Sequence, residues 1–388
     1  MRLFMRDFSV TAVIAALLAV IVSFSGSAVI IFQAANLAGL SQNMTASWIW
    51  AVSIGSGITG ILLSWRMKVP VITAWSTPGA ALLVVMLPGI PFAEAIGAYI
   101  ASAVIIILIG ASGSLDGIIR RIPVAVGSGM FAGILFSFGA RVFASIQADP
   151  VVALPMFVVF IFSRRFFSRY AIMAVMAAGI AICVISGKMF LPEVHFSLTQ
   201  PALTWPVWSW STIISVGVPL ALVTLTGQYI SGMAVLHASG YRIRSNGIML
   251  VTGFFSLLLA PFGSHAVNLS SLTAAICTGS EAHENPEKRY VAGVFCGGFY
   301  MLAGLFGTTI TLLFASLPVV FIAVLAGLAL MGAFSTGLQG MINDSSHFEP
   351  GVIAFLATAS GMEFLGLGAP FWGLALGGAS CLLLKKKR

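Results

Sequence analysis

Apolar residues run in long stretches along almost the whole chain, separated by short polar or Pro/Gly punctuation; Ala95 to Gly110 and Phe371 to Leu384 are typical. A membrane-spanning helix needs roughly 20 mainly apolar residues. The pattern therefore predicts an all-α polytopic membrane protein. Breaking the chain at its punctuation yields fourteen candidate transmembrane segments, at approximately 8–35, 42–65, 70–87, 92–112, 117–146, 149–163, 170–187, 209–236, 246–260, 264–279, 289–313, 317–339, 349–363 and 367–384.

Composition agrees. The 388 residues are 59% hydrophobic and 8% charged, against about 25% charged in ordinary soluble domains, and the mean hydropathy is +1.06. The start, M-R-L-F-M-R followed by an apolar run to Gly26–Ala28, has the outline of a secretory signal. The run continues through Val29, Ile30, Ile31 and Phe32, so a first membrane span fits better. Cys183, Cys277, Cys296 and Cys381 have no paired spacing that would suggest a disulfide framework or a zinc site. No catalytic dyad, metal cluster or cofactor motif is evident, so an enzyme is not expected.

Charge then orients the segments, because cytoplasmic loops are enriched in Lys and Arg. With the N-terminus inside, the inside set is Arg2, Arg6, Arg66, Lys68, Arg120, Arg121, Arg164, Arg165, Arg169, Arg242, Arg244, Lys288, Arg289, Lys385, Lys386, Lys387 and Arg388. These are 17 of the 19 basic residues; Lys188 falls in an outside loop and Arg141 near the outer end of the fifth segment. Fourteen crossings with both termini cytoplasmic follow. The net charge of +8 thus reports topology and not nucleic-acid binding.

Sliding the sequence against itself gives weak, clustered matches at an offset of 194. Ser76 meets Ser270, Ala80 and Ala81 meet Ala274 and Ala275, and Leu108 meets Leu302. Gly110 and Gly113 meet Gly304 and Gly307, and Ala132–Gly133 meets Ala326–Gly327; at 195, Gln33 meets Gln228. The offset superposes segment 3 on segment 10, an odd step of seven, so the halves run oppositely through the membrane. Inverted repeats of this kind place a transport site near the midplane, where discontinuous helices meet.

Within segments 3 and 10, Val71–Ser76 aligns with His265–Ser270, and each leads into a short apolar stretch, Pro78–Leu87 and Leu269–Thr278. Neither stretch can span alone, and Pro78 suits a helix start, where its missing N–H costs little. Two half helices beginning in mid-membrane would direct their positive dipole ends at an anion. The candidate binding residues are Gln33, Trp75, Ser76, Thr77, Gln228, His265, Asn268 and Ser270. Gln33 and Gln228 could equally bridge helices, Trp75 could simply pack, and His265 is either proton-linked or structural. No acid falls clearly at mid-membrane, where a cation-coupled carrier usually has one, so the substrate is expected to bring its own carboxylate. The loop Glu281–Arg289 reads as a solvated connection, not a metal site.

The stretches T-A-W-S-T-P-G-A-A-L-L (Thr73–Leu83), A-P-F-G (Ala260–Gly263), L-T-A-A-I-C (Leu272–Cys277) and P-F-W-G-L-A-L-G-G (Pro370–Gly378) resemble the BenE-type benzoate transporter family over essentially the full length. That resemblance implies proton-coupled uptake of benzoate or a similar aromatic carboxylate across a bacterial inner membrane. It also implies an architecture similar to uracil permease, nucleobase/ascorbate carriers and SulP anion transporters, with seven plus seven inverted spans. Residues 1–115 and 209–313 would form a core and residues 116–208 and 314–388 a gate, with elevator-like movement between them. The lipid bilayer, protons and an aromatic carboxylate are the expected partners, with a homodimer as the candidate assembly. Where nucleobase carriers place acids in spans 8 and 10, this chain has Gln228 and Ser264–Ser270, which argues against nucleobase recognition. A carrier of another small anion and a channel-like anion pathway are the rival readings.

Overall fold

The computed structural model describes residues 7–113, 123–189, 196–271 and 273–384. Arg2, Arg6, Arg120, Arg121, Leu272 and the basic tail 385–388, which carry part of the charge and motif reading, lie outside them.

The elements in order are α1 (Val10–Leu37), α2 (Gln42–Met67), β1 (Thr73–Trp75), α3 (Thr77–Met86), α4 (Phe92–Ser112), α5 (Val124–Ala148), α6 (Pro150–Phe166), α7 (Ala171–Ile185), α8 (Trp210–Ala238), α9 (Ser245–Leu259), β2 (Val267–Leu269), α10 (Ala274–Thr278), α11 (Tyr290–Leu305), α12 (Gly307–Ala315), α13 (Val319–Asn343), α14 (Phe348–Ala359) and α15 (Ala369–Leu383). Among the described residues, seven helices are long and apolar enough to cross a membrane: α1, α2, α4, α5, α8, α9 with its extension to Phe262, and α13. The pair Pro286–Leu305 and Gly307–Ala315, bent by 67°, would make an eighth. The other expected segments hold shorter helices, such as α3, α7 and α15.

Local chemistry sets the ends. Ser41 caps α2 by accepting from the Met44 N–H at 3.3 Å, and Asp149 caps α6 by accepting from the Val152 N–H ahead of the helix-opening Pro150. Proline stands immediately before α4, α5 and α13 (Pro91, Pro123, Pro318), where it cannot continue a helix backwards but starts one at no cost. Lys68, left-handed at φ 56°, closes α2. Inside α1 and α8 the helix widens to π geometry at Phe24–Ala28, Ile213–Gly217 and Leu225–Ile230. Single-turn π segments of this sort recur at functional sites, and nothing in the apolar periodicity announced them.

Apolar burial gives no helix–helix driving force in lipid, so small residues that allow close backbone approach do the packing. A Cβ built on Gly129 of α5 would lie 2.2 Å from the Gly351 carbonyl oxygen of α14. On the other side, a Cβ on Gly297 of α11 would lie 2.6 Å from the Gly57 oxygen of α2. Thus α2 lies along α11 and α4 along α9, while α5 lies along α13 and α14. The two short strands are enclosed by the first of these groups, pairing with each other and packing on α2 and α9.

Candidate functional site

Two extended segments meet in antiparallel register, with Thr73 opposite Leu269, Ala74 opposite Asn268 and Trp75 opposite Val267. The ladder continues one step at each end, Ser76 N to Ala266 O (3.2 Å) and Ser270 N to Ile72 O (2.8 Å). All six strand residues are buried, which is the condition under which non-helical backbone survives at membrane depth. Each strand is clasped by a serine of the preceding helix. Ser64 Oγ accepts from Val71 N and donates to Val71 O, both at 3.1 Å, and Ser256 Oγ does the same for Val267 at 2.8 and 3.2 Å. Thr73 Oγ1 also donates to Ser56 O at 2.7 Å. Buried backbone groups that a helix would have satisfied are thereby paired, each such bond contributing about 1 kcal/mol net.

At the end of β1, Ser76 caps α3. Its Oγ accepts from Gly79 N at 3.0 Å and from Thr224 Oγ1 of α8 at 2.9 Å, and Pro78 occupies the first turn. The Ser76 carbonyl accepts from His265 Nε2 at 3.0 Å, while His265 Nδ1 accepts from the Trp48 indole N–H at 3.0 Å. Those two partners assign a neutral ring with its proton on Nε2. His265 is enclosed by Trp48 and Tyr99, with ring centroids at 5.7 and 6.4 Å. The chain re-enters the protein just before it at Gly263, whose φ of 103° and 3.1 Å approach to Trp48 exclude a side chain.

Asn268 satisfies both ends of its amide in one orientation, its oxygen accepting from Ser76 N at 3.1 Å and its nitrogen donating to Leu269 O at 3.2 Å. Ser270 Oγ is 2.6 Å from Thr273 Oγ1. The expected half helix over Leu269–Thr278 is shorter than its sequence suggested. Leu269 ends β2, and the helix occupies only Ala274–Thr278, because the first residues are committed to the ladder and to the Ser270–Thr273 hydroxyl pair.

Trp75 is buried, and its Nε1–H has no partner among the described residues. Its ring meets Phe24 and Tyr300 edge-on, at 5.3 and 5.7 Å, so the π segment of α1 and the helix α11 close an aromatic box around it. Tyr300 Oη shares a hydrogen bond with Ser23 Oγ. Thr77 is half-buried and takes no part in these bonds.

Gln33 is buried in α1, with its Oε1 unpartnered among the described residues, on the part of the helix that packs along α3. Gln228 is buried in the π segment Leu225–Ile230. The preceding Gly227 lies so close to Pro78 that a Cβ would be 2.8 Å from Pro78 Cγ. Ser76, His265 and Asn268 are thus directly joined, Trp75 and Ser270 flank them, and Gly227, the residue before Gln228, packs on the first turn of α3. No hydrogen bond joins Gln33 to Gln228 among the described residues. Sequence reasoning missed Thr224, Trp48, Phe24 and Tyr300, which come from distant spans; the cluster W-I-W at Trp48–Trp50 was the only local sign.

The acids among the described residues stand elsewhere. Glu94 accepts from Thr212 Oγ1 at 2.7 Å, at the start of α4 and of α8. Asp149 pairs with Lys188 outside the spans, and that hydrogen bond holds its carboxyl below the ordinary carboxylate value. Asp7 accepts from Tyr290 Oη at 3.0 Å. In the loop after α10, Arg289 donates to the Thr278 and His283 carbonyls. Among the described residues no cluster of three His, Cys, Asp or Glu side chains could hold a metal.

Comparison with known proteins assigns this geometry to a family. The chain is 43% identical to the benzoate membrane transport protein of Acinetobacter baylyi (strain ATCC 33305 / BD413 / ADP1) over 383 residues, covering 99% of this chain and 97% of that protein. It is 38% identical to the inner membrane protein YdcO of Escherichia coli (strain K12) over 382 residues, 98% of each. Its fold is similar to the transmembrane domain of the cyanobacterial bicarbonate transporter BicA, with a TM-score of 0.62 at 14% identity, covering 90% of this chain and 97% of that one. It is also similar to SLC26A9, with a TM-score of 0.63 at 16% identity, covering 98% of this chain and 66% of that one. The chain is a multi-pass membrane transport protein and not an enzyme. The profile of the benzoate membrane transport protein family matches residues 6–383, and the chain belongs to that BenE family.

Proposed function

We propose that this protein is a secondary active transporter that takes up benzoate or a similar aromatic carboxylate together with a proton, by an elevator-like movement. The observation that carries the reading is the β1–β2 crossing. It brings the capped N-terminus of α3 against the second break, beside an aromatic box and a buried Trp75 N–H that has no partner among the described residues. An aromatic ring suits the Phe24, Trp75 and Tyr300 surfaces, and a carboxylate suits the α3 terminus together with the Trp75 indole. Ser76 and Thr77 then define the anion end, with Ser270 as a hydroxyl opposite. Gln33 and Gln228 supply amides from either side, the former through its unpaired oxygen. His265 and Asn268 serve by holding the break, since their polar atoms are already engaged.

The inverted seven-plus-seven arrangement of fourteen spans belongs to the same proposal. Its support is a register relation. The 194-residue offset equates Ala74 with Asn268, which face each other at the centre of the ladder. It also turns the bond Ser76 N to Ala266 O into Ser270 N to Ile72 O, and both are present. A dyad through the ladder has this consequence. We accordingly take residues 1–115 and 209–313 as a moving core and 116–208 and 314–388 as a gate, in a bacterial inner membrane with both termini cytoplasmic and a homodimer as the assembly.

Uptake of radiolabelled benzoate into proteoliposomes under an inward proton gradient tests the proposal. Saturable, protonophore-sensitive uptake is expected. Absence of uptake removes the substrate assignment, and uptake indifferent to the gradient removes the proton. A carrier of another small anion is the second reading, since the N-terminus of α3 suits any small anion. A thermal-shift screen of aromatic acids, inorganic anions and uracil separates the two.

A further inference from the structure

The extended stretch 196–209, between α7 and α8, is built with two different faces. On one face it is fastened to span ends. Thr199 N donates to Leu305 O at 2.8 Å and its Oγ1 to Gly304 O at 3.1 Å, at the end of α11. Ala202 N donates to Ser47 Oγ at 2.9 Å in the first turns of α2, and Ser47 Oγ in turn reaches Phe262 O at 2.9 Å. Thr204 N donates to Pro261 O (2.8 Å) just past α9, and Val207 N to Ala93 O (2.9 Å) at the start of α4. Four spans that enclose the strands are thus tied across a single end of the molecule, one residue from the Trp48–His265 bond.

The other face is apolar and uncovered. Phe196, Leu198, Leu203 and Trp205 alternate with the fastened positions, and Trp208 and Trp210 continue the row; Trp205 is 77% and Trp210 80% exposed. No charged residue occurs from Phe196 to Thr212, whereas the opposite ends of the same spans carry Arg66, Arg242, Arg244, Lys288 and Arg289. The row also continues onto a separate part of the chain. Ser211 Oγ donates to Gly366 O in the turn before α15, where Leu365 is 75% exposed.

We propose that residues 196–210 form an interfacial strap, seated with its aromatic face in the headgroup region of the bilayer. Three features select lipid over a second copy of the chain. The strap lies at span ends, the level at which tryptophan is enriched because its ring is apolar and its N–H is wet. It bears no charge. It follows the span ends as a band instead of forming a compact patch, and it passes onto the α14–α15 turn. The strap couples the membrane surface to the strand crossing through Ser47 and its neighbour Trp48.

The test uses the full chain in vesicles of phosphatidylcholine brominated either near the headgroup end or near the tail end of its acyl chains. The difference in tryptophan emission between wild type and W205F/W208F/W210F isolates the strap. Phenylalanine keeps the apolar surface at exposed positions, and single replacements serve as folding controls. The expected result is a loss of the strap emission that is larger with the shallow bromines than with the deep ones. Strap emission insensitive to both lipids but quenched by aqueous iodide would overturn the proposal. So would efficient cross-linking between copies through W205C in dilute proteoliposomes.

Discussion

His265 bridges Trp48 and the Ser76 carbonyl, accepting at Nδ1 and donating at Nε2, both at 3.0 Å. One neutral ring therefore ties the second span to the point where the third is interrupted. The Ser76 carbonyl has a second donor in Ala80 N at 2.8 Å, so loss of the ring strands only the Trp48 N–H. His265→Ala should destabilise by about 1–3 kcal/mol for that buried donor, read as a lower Tm in detergent. Trp48→Phe/His265→Phe should cost less than the sum of the single changes, because both partners leave together. Folded His265 variants should retain proton-driven uptake; loss of coupling with binding intact would instead make His265 the proton carrier.

Trp75→Phe keeps a ring in the aromatic box and removes an N–H that has no partner among the described residues. Stability should hardly change. Benzoate affinity should fall roughly tenfold or more, the value of a hydrogen bond to a charged group, about 1.5–3 kcal/mol. Isothermal titration with unchanged affinity would remove the indole from the site.

Gln228→Ala should weaken benzoate binding while leaving expression and Tm near wild type, since its amide takes no part in the bonds that hold the break. Equal affinity in the variant would remove Gln228 from the site. Gly227→Ala acts differently: its Cβ would push on Pro78 at 2.8 Å, so it should disturb both Tm and binding.

Gly129→Ala places a Cβ 2.2 Å from the Gly351 oxygen and forces α5 from α14. Overpacking of this kind costs about 1–3 kcal/mol. Gly139→Ala on the same helix meets nothing within 4 Å and should be neutral or mildly stabilising, since alanine is the better helix former. The two thermal unfolding curves provide the comparison.

Asp149 is held below the ordinary carboxylate value by Lys188. A depressed carboxylate contributes stability above its unfolded value, and that contribution is lost as pH falls through the folded one. The Tm difference between wild type and Lys188→Met should be small but present at neutral pH and vanish in strong acid. A difference that grows on acidification would contradict the pairing.

Much of this was legible in the chain. T-A-W-S-T-P-G announced an extended lead-in and a proline-started helix, to which the structure adds that Ser76 caps α3. The second break was legible less far. His265 and Asn268 looked like ligand candidates, yet both are consumed in holding backbone, because a polar side chain's partners depend on what lies across the fold. The helix expected from Leu269 begins at Ala274 for the same reason.

Sequence by itself determined the membrane class and the positions of both interruptions, since apolar length, proline and hydroxyl placement act locally along the chain; the family was legible there as a resemblance in four motifs. Tertiary structure alone decided that Ala74 faces Asn268, that Thr224 reaches Ser76, and that Phe24 and Tyr300 close on Trp75. Those contacts join residues far apart in the chain, and their geometry follows from close packing at small residues and the need to pair every buried backbone group.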